Sequence, residues 1–287
     1  MRTDLPGACL KFKAMKGQPI ISTLEQLTQE VCAIARTAGE FLLDEQKSFS
    51  RDKIEEKRSH DYVSYVDKES ERRVTSALRA LLPQAGFVTE EGTVAYTDEQ
   101  YWWVVDPLDG TTNFVHGASP YCVSIALRSV DELLLGVVYD PTQNECFSAY
   151  KGGGAFLNGV RINVSVTDSL DNAFLITELP YEADKYAYTA VHLLQTLYGR
   201  VAGIRMNGSA ALAICHVAAG RIDGWLEAFI GKWDFSAAAL IVLEAGGKVT
   251  DFYGNADFLN GHHIIATNSR IHENLQEIVM QVPPVGM

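Results

Sequence analysis

The run Trp103-Val-Val-Asp106-Pro-Leu-Asp109-Gly-Thr-Thr112 constrains this chain more than any other stretch. Residues 101–105 are apolar strand formers, so they read as a buried strand that ends on Asp106. Pro107 fixes one backbone angle and Gly110 permits a tight turn, which sets two carboxylates at the mouth of that strand. If Thr111 and Thr112 open a short helix, the free N–H groups around Gly110, Thr111 and Thr112 point into the mouth and suit an anion such as phosphate. Carboxylates repel an anion unless cations lie between them, and hard divalent ions with oxygen ligands, magnesium above all, meet that need. The same residues also suit an ordinary hydrated turn, because Asp, Pro and Gly are turn formers.

Two further acidic positions favour a cation site. Residues 87–89 read as a short strand leading into Glu90-Glu91-Gly92, and pairing with the Asp106 strand would set one of these glutamates beside Asp106. Asp234 follows Gly231-Lys-Trp233 at the start of an expected helix. A carboxylate there can cap the helix and face an open mouth at once.

Around these positions the pattern is α+β. Ser22 or Thr23 caps a long amphipathic helix whose apolar positions include Leu24, Leu27, Val31, Ala38 and Leu42. Residues 44–60 are dense in charge and lack apolar periodicity, which predicts an exposed, mobile loop. A second helix is expected from Tyr65 or Asp67 to Leu82, where Pro83 ends it. Residues 121–172 read as an antiparallel meander with a hairpin at Asn158-Gly159. Beyond it, strands are expected at 173–177, 201–205, 224–229, 248–251 and 264–266, and helices at 186–197, 209–219 and 233–244. Residues 1–21 read as a loose tail. Residues 22–287 read as one domain, with a metal-binding N-terminal half (22–172) and a C-terminal α/β half (173–270).

Twenty-four basic residues stand against 36 acidic ones, a formal charge of -12, which argues against a nucleic-acid polymer or an anionic membrane as partner. A small phosphorylated substrate held through cations remains compatible. The five cysteines, Cys9, Cys32, Cys122, Cys146 and Cys215, contain no Cys-x-x-Cys and read as reduced thiols of a cytoplasmic protein. The first twenty residues carry Lys11, Lys13 and Lys16 without the apolar core and cleavage site of a signal peptide, and no apolar run reaches membrane-spanning length.

Glu90-Glu91-Gly92, the run from Asp106 through Thr112-Asn-Phe114, and Trp233-Asp234 followed by Glu244-Ala-Gly-Gly247 resemble the inositol monophosphatase family over about residues 22–269. The resemblance implies a five-layered αβαβα sandwich and a dimeric, often lithium-sensitive phosphomonoesterase using two to three magnesium ions. By that resemblance Glu90, Asp106 and the Leu108 carbonyl bind one metal, and Asp106, Asp109 and Asp234 a second. Asp67, in Asp61-Tyr-Val-Ser-Tyr-Val-Asp67, reaches a third through water together with Glu90. Glu90, Thr111 and Asp109 carry the catalytic roles, with Thr111 and Glu90 relaying or accepting the proton of an attacking water.

The same resemblance lets Gly110, Thr111 and Thr112 cradle the phosphate, while Gly208, Ser209, Ala210, Glu227 and Asp234 face the alcohol. Glu227 should favour a neutral polyol over a second phosphate, so myo-inositol 1-phosphate is the expected substrate. Histidinol phosphate, sugar bisphosphates and 3'(2'),5'-bisphosphate nucleotides stay open within the superfamily. A catalytically silent metal-binding regulatory or interaction protein stays open outside it.

Overall fold

Thr23 starts the first helix: its hydroxyl accepts from the amide of Gln26 at 3.2 Å, and α1 (Leu24–Lys47) then buries Leu24, Leu27, Val31, Ala35, Ala38 and Leu42 along one stripe. The computed structural model describes residues 23–49, 54–58, 61–180, 182–256, 258–260 and 262–282, so the expected tail at 1–21 lies outside the described residues. The loop expected at 44–60 is corrected at both ends. Glu45, Gln46 and Lys47 are good helix formers and prolong α1, with Lys47 bonded to Asp44 at 2.8 Å. Further on, β1 (Ile54–Arg58) pairs antiparallel with β2 (Asp61–Ser64), Ile54 opposite Ser64. Backbone pairing of this kind needs no apolar alternation, so periodicity could not reveal it. The helix α2 (Tyr65–Leu81) follows at once, opened by a reciprocal cap between Ser64 and Asp67.

A seven-stranded sheet comes next, in chain order: β3 (Gly86–Thr89), β4 (Trp102–Asp109), β5 (Cys122–Arg128), β6 (Leu133–Asp140), β7 (Glu145–Tyr150), β8 (Gly154–Leu157) and β9 (Val160–Ile162). Only β3 and β4 run parallel; the rest is the expected meander, closed at its far edge by the Asn158-Gly159 turn. The strand expected to stop at Asp106 continues to Asp109, with a register shift between those two residues. The irregularity accommodates Pro107, which has no N–H to give to a ladder.

The remaining elements are α3 (Thr111–Val115), β10 (Phe174–Thr177), α4 (Ala183–Leu197), β11 (Gly203–Arg205), α5 (Ala210–Ala218), β12 (Gly224–Glu227), α6 (Lys232–Glu244), β13 (Lys248–Thr250), β14 (Ile264–Thr267) and α7 (His272–Val279). The five strands form a second sheet in the order β11-β10-β12-β14-β13, with β10 parallel to both neighbours. Successive side chains of a strand point to opposite faces, and Val104 and Val105 show the consequence. Val105 packs with Leu27, Leu42 and Ile125 under α1 and α2, whereas Val104 packs with Ile214, Ile241 and Trp225 in the layer of α5 and α6 between the sheets. The outer face of the second sheet is covered by α4 and α7 through Leu193, Leu226, Ile265 and Leu275. The layers are therefore αβαβα, as expected, with α5 and α6 apolar nearly all round because both sides are covered. No helix among the described residues is long and apolar enough to cross a membrane.

One buried histidine makes this fold sensitive to acid. His272 contacts the Thr250 hydroxyl through Nε2 and the Thr267 hydroxyl through Nδ1, each at 2.9 Å, and burial, helped by Lys248, lowers its pKa from 6.5 to about 4. Between those values the unfolded chain binds a proton that the folded chain refuses. The contribution of neutral His272 is thus fully present above pH 6.5 and shrinks as pH falls toward 4. Urea midpoints at about pH 7.5 and about pH 5 are expected to diverge less in His272→Gln than in the parent. Equal divergence would assign the acid sensitivity to other groups.

Candidate active site

The end of β4 supplies Asp106 and Asp109, and the N-terminal turn of α6 supplies Asp234 at its third position. One carboxylate oxygen from each of the three lies within 4.8 Å of the others. Each carboxylate is held from behind. Asp106 accepts from the Leu108 amide at 2.9 Å, and Asp234 accepts from the Gly231 amide at 2.9 Å. Asp109 Oδ2 accepts from Ser209 Oγ at 2.6 Å and from the Ala211 amide at 2.8 Å, so the start of α5 clamps it.

Burial pushes the Asp106 carboxyl well above the usual range, and Glu90, Asp109 and Asp234 push it further. Burial also raises Asp109, against the lowering effect of Ser209 and Ala211. The charged groups that act most strongly on Asp106 are all carboxylates. Such a set ionises fully only when positive charge joins it.

Glu90 reaches the centre through the parallel β3–β4 ladder, where its amide donates to the Val105 carbonyl at 3.2 Å. The pairing expected from the sequence is present, although Glu90 acts on Asp106 from beside the three-carboxylate cluster and is not a member of it. Asp67 also stands apart from that cluster. Its Oδ2 accepts from Ser64 N at 2.8 Å and Ser64 Oγ at 2.7 Å, and its Oδ1 lies 3.0 Å from Thr111 Oγ1. The Thr111 hydroxyl is equally close, 3.0 Å, to the Leu108 carbonyl.

Gly110 caps α3 with φ 92° and no side-chain hydrogen bond, and Thr111 and Thr112 form the first turn. Glu227 is buried at the end of β12, its carboxyl raised well above the usual range by burial and then by Asp234, Glu178 and Asp109. Gly208 and Ala210 flank Ser209, which is itself fully buried and committed to Asp109.

Several residues that hold this site were not singled out by sequence reasoning. Glu71, buried on α2, accepts from Thr89 Oγ1 at 3.0 Å, the amides of Glu91 and Thr93 at 2.7 Å, and Thr93 Oγ1 at 2.6 Å. It therefore straps the chain on both sides of Glu90. An acidic residue sharing the stripe of Val74 and Leu78 was the available signal. Asn113 ties α3 to the Gly208 turn by donating to the carbonyls of Pro120 and Asn207 at 2.7 and 2.8 Å, and Glu178 accepts from the amides of Asn207 and Gly208 at 2.8 and 3.1 Å. These links join distant segments and leave no local pattern.

An all-carboxylate centre at the mouth of a strand, largely buried, with a glycine-capped helix start beside it in an αβαβα sandwich, defines a class of metal-dependent phosphate-ester hydrolases. The chain belongs to the inositol monophosphatase family, which it matches over residues 23–283. It is 41% identical over 238 residues to the protein of Escherichia coli (strain K12) described as Nus factor SuhB, covering 83% of this chain and 89% of that one. The structure of extragenic suppressor protein suhB from Bartonella henselae is similar at a TM-score of 0.82 and 36% identity, covering 88% of this chain and 98% of that one. The inositol monophosphatase of Anabaena (Nostoc) sp. PCC 7120 is similar at a TM-score of 0.80 and 35% identity, with coverage of 91% and 98%. Family and neighbours support a phosphatase of this superfamily.

Proposed function

We propose that this chain is a magnesium-dependent phosphomonoesterase that hydrolyses myo-inositol 1-phosphate or a similar polyol monophosphate. The observation that carries the reading is the convergence of Asp106, Asp109 and Asp234 within 4.8 Å, the first two buried and Asp234 half-buried. The donor set fits a hard cation: it is all oxygen, and the nearby Cys122 thiol is kept protonated, its pKa pushed well up by burial and then by Asp109. Asp106, Asp109 and Asp234 would hold the metal, with Glu90 and the Leu108 carbonyl beside them and Asp67 behind Thr111. Magnesium bound there supplies neutralisation of the phosphoryl charge and acidification of an attacking water.

The chain's own groups do the rest. Amides at the start of α3, around Gly110, Thr111 and Thr112, offer donors to phosphoryl oxygens. The Thr111 hydroxyl, fixed between Asp67 and the Leu108 carbonyl, and the Glu90 carboxylate are the groups that relay or accept the proton of the water. Gly208, Ser209 and Ala210 shape the wall on the alcohol side. Glu227 supplies a buried acceptor for hydroxyl donors of the leaving alcohol, and its carboxylate neighbours oppose a second phosphate. Homodimerisation and lithium sensitivity belong to the same reading by family resemblance, and a cytoplasmic location by the scattered cysteines that read as reduced thiols.

The test is a magnesium-dependent panel of inositol phosphates, histidinol phosphate, fructose 1,6-bisphosphate and adenosine 3',5'-bisphosphate. The polyol monophosphate is expected to lead in kcat/KM, and Glu227→Gln to shift the preference between substrates. A uniform loss across the panel in that variant would remove Glu227 from the selectivity role. A second reading is favoured by the relatives' description as Nus factor SuhB: a metal-binding interaction protein without turnover. Magnesium-dependent stabilisation with no phosphate released from any member of the panel would select it.

A further inference from the structure

On the face of the seven-stranded sheet away from the second sheet, α1 and β7 enclose a cavity of about 320 Å³. Cys32 and Arg36 reach it from successive turns of α1, and Cys146, Ser148 and Tyr150 from alternate positions of β7. Arg36 is a fixed positive charge: its guanidinium donates to Asn144 Oδ1 at 2.8 Å and to Asn158 Oδ1 at 2.9 Å, and sits 5.0 Å from the centre of the Tyr139 ring. Cys32 is half-buried at the cavity wall, whereas Cys146 is buried behind it. None of these groups takes part in the phosphatase chemistry.

The two thiols differ in character. Hydrogen bonding from Cys146, then from Ser148, and the charge of Arg36 lower the Cys32 pKa against the opposing effect of burial. Cys146 is pushed up, first by Cys32 and then by burial. Cys122 and Cys215 are fully buried thiols raised well above their ordinary value, chiefly by burial. A half-buried thiol on a cavity that a fixed guanidinium also lines, with a second, buried thiol lining the same cavity, is the arrangement of an attacking and a resolving cysteine.

We propose that Cys32 and Cys146 form a dithiol modification site, in which Cys32 attacks a low-molecular-weight disulfide admitted by the cavity and Cys146 resolves the adduct. The Cys32 thiolate bonds to one sulfur of the reagent, the reagent's S–S bond breaks, and one thiolate leaves and takes up the proton that Cys32 gave up. Cys146 then loses its proton and attacks the Cys32 sulfur, expelling the second thiolate, which is protonated in turn. The two cysteines are oxidised by two electrons and the reagent is reduced to two thiols. The product bond staples the first half of α1 to β7.

The experiment is oxidised glutathione added to the folded full-length protein, read by intact mass and peptide mapping. A Cys9→Ser background is used, since Cys9 lies outside the described residues. The Cys9→Ser protein is expected to lose two hydrogens and to yield one cross-linked peptide pair, Cys32 with Cys146. Adding Cys146→Ser should trap a single glutathione on Cys32, and adding Cys32→Ser should slow all modification by roughly tenfold or more. A persistent glutathione adduct with Cys146 intact, equal modification after Cys32→Ser, or reaction first at Cys122 or Cys215 would each overturn the proposal. If Cys146→Ser is poorly folded by circular dichroism, Cys146→Ala serves the same trapping arm.

Discussion

Replacing Asp109 by Asn is expected to lower magnesium-dependent phosphate release by roughly 100-fold or more, since loss of an outer partner to a metal ligand already costs about 10- to 100-fold. The fold should survive. Asn keeps a carbonyl oxygen for the donors Ser209 Oγ and the Ala211 amide, which hold Asp109 Oδ2 at 2.6 and 2.8 Å. What the substitution removes is one buried carboxylate from a set that repel one another. Without added metal the variant should therefore melt at or above the temperature of the parent. Magnesium should raise the parent's melting temperature by mass action and raise the variant's much less. Thermal melts with and without magnesium, beside turnover of a phosphomonoester, separate a lost metal ligand from a damaged fold. Near-parental turnover in Asp109→Asn would sink the assignment.

That experiment bears on the part of the site most legible in the sequence. Asp106 and Asp109 lie three residues apart on one strand end, and strand, proline and glycine signals fall within ten residues, so their shared mouth could be read locally. Glu90 needed one further step, the pairing of two short apolar strands, and the β3–β4 ladder provides it. The clamp on Asp109 was of another kind. Ser209 and Ala211 lie about a hundred positions further along, and only the packing of α5 between the sheets brings them to β4. Residues 208–210 are expected to meet the substrate by family resemblance alone, and the structure adds that the Ser209 hydroxyl donates to Asp109.

Elsewhere, local propensity and tertiary context account for the differences in the fold. The β1–β2 pair rests on backbone hydrogen bonds between segments without apolar alternation, which no periodicity can report. The continuation of β4 through Pro107 depends on an irregularity in its pairing with β5. Conversely, the αβαβα layering was implied only by family resemblance. Its physical basis is visible in α5 and α6, whose apolar residues all round mark helices covered on both sides.

Gly110→Ala is expected to damage stability and catalysis together, and a matched glycine separates the two. Gly110 has φ 92°, and a Cβ there would stand 2.9 Å from the Pro120 carbonyl oxygen, 3.2 Å from that of Gly208 and 3.2 Å from Tyr121 Cα. All three neighbours are backbone, so none can yield by a change of rotamer. The left-handed conformation alone costs a non-glycine residue about 1–2 kcal/mol, and relief of the close approach must move α3 or the two chains that meet it. Asp109 and Thr111 flank this residue, and a displacement of about 1 Å at a reacting centre can cost roughly 100-fold in rate. Gly246, with φ 88° and nothing within 4 Å of a Cβ, carries the same backbone cost without the collision. Gly246→Ala should therefore lower the melting temperature modestly and leave kcat near the parental value. Gly110→Ala should lower it further and lose roughly 100-fold in kcat even well below its melting temperature. Matching melting temperatures and matching turnover in the two variants would show that the meeting of α3, Pro120 and Gly208 does not hold the catalytic geometry.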